Sequence, residues 1–219
     1  MAKPVAFGSR PKPIVNAQWD NICSDNQITE NNKVRIGNIN SLFISDVAKA
    51  LYERWAALPR PEGQTCPKRL DFDFDGLPVR FKKHSFLLTS LGEGVLSASD
   101  IGDEITAFLG EKLDGQDLAE RHGENQMKYE VPYYDALYGT PCAGVLVRRT
   151  INQAGTHADF VTCHLPLLDY QNKVRSLLGV AQITNIESVE KTGAPILLGN
   201  SQIIDRVLIN IGTALPVIA

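Results

Sequence analysis

Between Ala143 and Ile186 the sequence alternates apolar and polar residues with a period of two, broken twice by turn formers. In Ala143–Ile151, Val145, Val147 and Ile151 share one face of a strand, and Leu146, Arg148 and Thr150 share the other. From Phe160 to Leu168, Val161, Cys163 and Leu165 alternate against Phe160, Thr162 and His164. Asn152-Gln-Ala-Gly155 and Asp169-Tyr-Gln-Asn172 supply the turns, and Lys173 to about Ile186 reads as a third strand. Two hairpins in sequence make an antiparallel meander.

The middle of the chain adds a further pair. Phe86-Leu-Leu-Thr-Ser-Leu91 and Val95-Leu-Ser-Ala-Ser-Asp-Ile101 flank Gly92-Glu93-Gly94, a hairpin signal. Short helical pieces follow. Ile101, Ile105 and Phe108-Leu109 make a turn or two before Gly110, Asp114 caps a piece with Leu118, and Asn125–Tyr138 is the last helical candidate, interrupted by Pro132. Upstream, Ser45 and Asp46 mark a helix start, and Pro59 ends the helix after Leu58. Val47, Leu51, Trp55 and Leu58 form its apolar stripe. Lys49 and Glu53 lie opposite, and Arg54 within the stripe must lay its stem along apolar surface. Residues 1–44 read as a partly flexible N-terminal extension, with Val34, Ile36, Ile39, Leu42 and Phe43 able to dock as a short strand or turn. Residues 45–186 form the expected domain, and 187–219 a C-terminal extension. Val207-Leu-Ile-Asn-Ile in that tail suits a buried extra strand, an oligomer contact or a packing arm.

Charge and composition exclude several classes. The 219 residues carry a net charge of -3 with no Lys/Arg block, which argues against nucleic acid. No apolar run approaches the ~20 residues that cross a bilayer. The start, Met1-Ala-Lys-Pro-Val-Ala-Phe-Gly, lacks a signal-peptide core, and Cys23, Cys66, Cys142 and Cys163 are scattered without a C-x-x-C pair. Both observations point to reduced thiols in a cytoplasm.

The element order, one flanking helix, two strands, short helices and three strands, resembles the PAS fold. Several motifs are similar to those of a bacterial PAS subfamily. They are Leu51-Tyr-Glu-Arg-Trp55, Cys66-Pro-Lys-Arg-Leu-Asp71, Ile101-Gly-Asp-Glu-Ile105, Leu109-Gly-Glu-Lys-Leu-Asp-Gly-Gln-Asp-Leu118, Leu165-Pro-Leu-Leu-Asp-Tyr-Gln-Asn-Lys-Val174 and Leu177-Leu-Gly-Val180. Two departures stand out: Phe72-Asp-Phe74 replaces a usual proline, and a Tyr-Arg pair before Ile101 is missing. The resemblance implies an α+β fold, with a five-stranded antiparallel sheet, short helices on one face and a flanking N-terminal helix. It also implies a space between sheet and helices that holds a small ligand in some relatives and side chains in others. Many PAS domains dimerise through the flanking helix, which makes Val47, Leu51 and Trp55 a candidate homodimer interface; packing on the chain's own domain is the other use of that stripe.

No catalytic constellation emerges. Asp71-Phe-Asp-Phe-Asp-Gly76 begins like a calcium loop, but its twelfth position is Lys82 and Pro78 interrupts it. His157 and His164 are spaced wrongly for a shared metal, so no metal site is expected. His122 is the nearest position to a haem-type ligand in PAS relatives, against an ordinary loop histidine. Cys163 and His164 are strand neighbours and face opposite ways, which leaves no nucleophile–base pair. Small-molecule binding rests on Arg149, a charge on the Val145/Val147 face wanting an anionic partner or a route to water, and on Tyr129, Tyr133, Tyr134 and Tyr138 on the roofing helix. With His164 these are the candidate ligand-binding residues. The expected function is a non-enzymatic, stand-alone sensory or regulatory module. It binds an unidentified small molecule or a partner protein and has no output domain of its own. The alternative is an adaptor with a filled interior, and no cofactor is named by any motif.

Overall fold

The computed structural model describes residues 34–92, 95–109, 112–118, 124–152, 157–184, 196–213 and 215. Seven strands form one sheet: β1 Arg35–Gly37, β2 Ser85–Gly92, β3 Val95–Ser99, β4 Ala143–Asn152, β5 His157–Leu168, β6 Val174–Thr184 and β7 Ile196–Ile209. Their order is β1-β7-β4-β5-β6-β2-β3. Every neighbouring pair is antiparallel except β1 with β7, which is parallel.

This corrects the expected fold, a five-stranded antiparallel sheet with helices over one face. The difference lies in the tail. β7 lies along β4 with Val145 opposite Val207 and Ala143 opposite Ile209, and Val207, Leu208 and Ile209 are buried there. β1 then adds to the outer edge of β7, where Arg35 pairs with Asp205 across the two strands. The short strand or turn expected from Val34, Ile36, Ile39, Leu42 and Phe43 is both: β1, then a 3-10 turn at Ile39–Leu42. Helical cover is also sparse. Among the described residues the α-helices are α1 Asp46–Ala57, α2 Val79–Lys82, α3 Asp103–Leu109 and α4 Glu124–Gly139.

Local chemistry accounts for the element ends. Ser45 Oγ accepts from Ala48 N at 3.1 Å and starts α1, as its N-cap position requires. The β5–β6 turn is held by Asp169, whose Oδ1 accepts from Gln171 N at 2.7 Å and Lys173 N at 3.0 Å, while Asn172 takes a φ of 60°. Helix α4 runs through Pro132 and buries Glu130, Tyr133, Tyr134 and Leu137, the spacing of one helical face.

Both faces of the sheet are buried. Leu146, Thr162 and His164 are covered on one side, and Val145, Cys163, Leu165 and Leu178 on the other. Helix α1 packs on β5 and β6, and Trp55 Nε1 donates to Pro166 O at 2.9 Å. Leu51 and Trp55 are buried in the main core with Val47 packed against it, so the stripe put forward as a dimer interface is turned into the chain's own interior. Arg54 lies exposed instead of along that stripe. No described helix is long and apolar enough to cross a membrane.

Candidate functional site

The core is divided. A main cluster spans the sheet, α1 and α4, and a smaller one gathers Ile105, Leu109, Leu113, Phe160 and Ala181 beneath α3. Phe108 stacks on Phe160 with ring centroids 5.4 Å apart, which holds the end of α3 to the sheet. Where the clusters meet lies a cavity of about 50 Å³. Its apolar wall draws on both, with Leu88 and Ala98 from one and Ile105 and Leu109 from the other; its polar residues are Tyr134, Arg148, Thr162 and His164.

His164 sits in a row across four strands. Gly144, His164, Gly179 and Phe86 are directly paired in turn from β4 to β2. The two glycines make room for rings. A Cβ on Gly144 would meet the Tyr133 ring, with its hydroxyl at 2.5 Å, and one on Gly179 would collide with the Phe86 ring. The imidazole is thereby bracketed by Phe86 at 5.8 Å and by Tyr133 and Tyr134, each at 5.7 Å, all close to edge-on. Tyr133 Oη lies 2.9 Å from His164 Nδ1. The pair share one hydrogen bond, in which Tyr133 donates to a bare Nδ1 or accepts from Nδ1–H according to the tautomer of the neutral ring. Burial, aided by the Arg148 charge, pushes the His164 pKa down to about 3, which keeps the ring neutral.

Beside it lies a buried ion pair. Arg148 Nε donates to Glu130 Oε1 at 3.1 Å, and Nη2 donates to Glu130 Oε2 at 2.7 Å and to Tyr134 Oη at 3.2 Å. The side chains of Arg148 and Glu130 are 4% and 0% exposed. Burial opposes the guanidinium charge, but the Glu130 carboxylate and Tyr134 outweigh it and raise the Arg148 pKa. Burial raises the phenols of Tyr133 and Tyr134 above their ordinary range, so both stay protonated.

The structure brings together Tyr133, Tyr134 and His164 of the six candidate ligand residues. Arg149 is elsewhere. It lies on the opposite face of β4 from the cavity, its side chain 48% exposed, and donates to Asp159 Oδ1 at 2.9 Å through Nε and to Oδ2 at 3.2 Å through Nη2. The face of Val145 and Val147 gave Arg149 both an anionic partner and a route to water, which removes its need for a ligand. Tyr138 donates to Leu88 O at 3.1 Å and borders a separate depression with Lys173 and Arg175. Tyr129 belongs to α4, and its side chain lies outside the described residues, as do Cys23 and His122.

Sequence reasoning missed Arg148 and Glu130. The available signal was Glu130 four residues before Tyr134, an acid on the one face of α4 that the sheet must bury. In the calcium-like run, Phe72 and Phe74 are buried and the aspartates are at the surface. Asp73 Oδ1 accepts from Gly76 N, and Asp75 pairs with Lys82, the residue that occupies the twelfth position. Among the described residues no group of three or more acids, histidines and cysteines converges on a metal position. Cys163 is fully buried, and burial pushes its thiol up to about 12, far from a reactive thiolate. Compared with models of known families and with curated proteins, the chain matches none.

Proposed function

We propose that the chain is a sensory or regulatory module that receives a small molecule in the cavity beneath α3 and passes its state to a partner protein. One observation carries this reading. A cavity of about 50 Å³ lies where the two core clusters meet, and the buried residues Arg148, Tyr134 and His164 are among those that line it. Protein interiors rarely leave such space, and buried polar groups beside it are a feature of ligand pockets. The sensory role also follows from the resemblance to PAS domains in the Leu51–Trp55, Cys66–Asp71 and Leu165–Val174 motifs.

Signalling then works by differential affinity. A ligand that prefers one arrangement of α3 over another shifts the population toward it, and the partner reads the change. We place the module in the cytoplasm, because Cys66, Cys142 and Cys163 are buried free thiols. We assign it no catalytic role: burial raises the thiols of Cys66, Cys142 and Cys163 and the phenols of Tyr133, Tyr134 and Tyr138, so none of these is an activated nucleophile.

The small volume favours a second reading, an adaptor whose interior is filled by its own side chains and whose surface alone recognises a partner. Native mass spectrometry of the protein purified from cells separates the two. Retention of a stoichiometric small molecule, lost on organic extraction, supports the sensor. A bare chain, with no mass added by a metabolite extract, supports the adaptor.

A further inference from the structure

We propose that the cavity receives the hydrocarbon end of an alkyl-chain ligand and makes no hydrogen bond to it. The inference rests on the sensory reading above and deepens it by naming the class of ligand. The surface of the cavity is almost entirely apolar, although Tyr134, Arg148, Thr162 and His164 belong to its lining. Those polar groups are engaged in the protein's own bonds. Arg148 donates to Glu130 and Tyr134, His164 shares its bond with Tyr133, and Thr162 donates to Leu146 O. A water molecule needs two or more polar partners to reside in such a space, so water competes weakly for it. A guest atom carrying a hydroxyl, a carbonyl or a charge would exchange hydrogen bonds to bulk water for an apolar wall, at a net cost. A methyl or ethyl end loses none and gains dispersion contacts with the wall around it.

The size of the guest follows from the wall. Leu88 and Ala98 are directly paired across β2 and β3, and both line the cavity. Ala98 brings only a methyl group to that pair, so a larger side chain at this one position would occupy the space itself. Ile105 and Leu109 of α3 belong to the same wall. At about 50 Å³ the cavity is roughly a third of the ~150 Å³ space that takes benzene, which sets the limit near two carbon atoms. Ile101 and Leu118 also line it and are only half-buried, which gives the rest of the chain an apolar way out to solvent. Phe160 links occupancy to the surface: it lines the cavity and stacks on Phe108 near the end of α3. A guest that presses on Phe160 is therefore felt at Phe108, where a partner can read it.

Hexan-1-ol and hexane-1,6-diol test the assignment, because they share a chain and differ only in whether one end is a methyl group or a second hydroxyl. Each is titrated into the full chain while the methyl and aromatic NMR signals are followed. Expected is saturable movement of the Leu88, Ile105 and Leu109 methyl signals by hexan-1-ol, at a concentration about tenfold or more below that needed by the diol. In Ala98→Val, whose added methyl groups fill the space, hexan-1-ol should no longer move them. The diol acting at the same concentration as hexan-1-ol overturns the assignment of a hydrocarbon end but leaves the cavity as a ligand site. No saturable response to either overturns both. Binding of hexan-1-ol that leaves the Phe108 ring signals in place supports the apolar site and overturns the sensory reading alone. A folded Ala98→Val protein that responds like the original overturns the assignment to this cavity. If that variant does not fold, the ranking of the two probes on the unaltered protein decides.

Discussion

Arg148 and Arg149 are neighbours on one strand, each bound through two nitrogens to a carboxylate, yet they belong to different physical regimes. The Arg148–Glu130 pair is removed from water, its side chains 4% and 0% exposed. The Arg149–Asp159 pair lies on the other face, its arginine 48% exposed. For the exposed arginine, water takes over whatever a lost partner leaves. For the buried one nothing replaces the partner, and the desolvation cost of the surviving charge remains. Alternation along a strand thus turns a one-residue step into the difference between a pair whose arginine reaches solvent and a pair removed from water.

Breaking the buried side should cost most. Glu130→Leu leaves the Arg148 charge without its carboxylate and is expected to destabilise the fold by about 3–5 kcal/mol, read from the urea midpoint. A loss below about 1 kcal/mol would place the pair in water after all. The packing around His164 comes next. Gly144→Ala drives a methyl group into the Tyr133 ring, which is expected to cost about 1–3 kcal/mol and to release Tyr133 from His164. The tyrosine's contact is followed by the His164 side-chain resonances, which should move in that variant and stay put in Arg149→Lys.

A third effect depends on pH. The folded-state pKa of His164 lies near 3, below its ordinary 6.5, so the unfolded chain binds the extra proton first. Stability therefore rises with pH through that window and is lost as pH falls below 6.5. One pH unit below that value the cost is about 1.4 kcal/mol. Urea melts at pH 7.5 and 5.5 should differ by this much more in the unaltered protein than in His164→Gln; equal slopes would mean the imidazole is charged when folded. The smallest effect belongs to the exposed side. Asp159→Asn should change stability by about 1 kcal/mol or less, because the half-exposed Arg149 head reaches solvent.

The strands of the meander and the helix capped by Ser45 were legible because period and caps are local. Where the reading stayed open, between a buried strand, an oligomer contact and an arm for the tail and between strand and turn for Val34–Phe43, the deciding contacts are distant in sequence. β7 is a strand because β4 offers it an edge more than forty residues upstream, and β1 exists only as the partner of β7. The same distance hid the site. Both faces of β4 are buried along Gly144–Leu146, so the apolar residues beside Arg149 did not mark the cavity side. Tyr133, Tyr134 and His164 meet because one face of α4 lies over the cavity side of β5. Arg148 required knowing that Glu130 waits opposite.

A buried pair contributes little net stability when it can be exchanged for apolar groups of similar size, so its retention calls for another reason. The double variant Glu130→Leu with Arg148→Met separates the net worth of the pair from the cost of stranding one charge. Expected is a protein within about 1 kcal/mol of the original in urea, having recovered the loss of Glu130→Leu. A double variant that stays as unstable as the single one would contradict the account of Arg148 as a buried charge held only by Glu130.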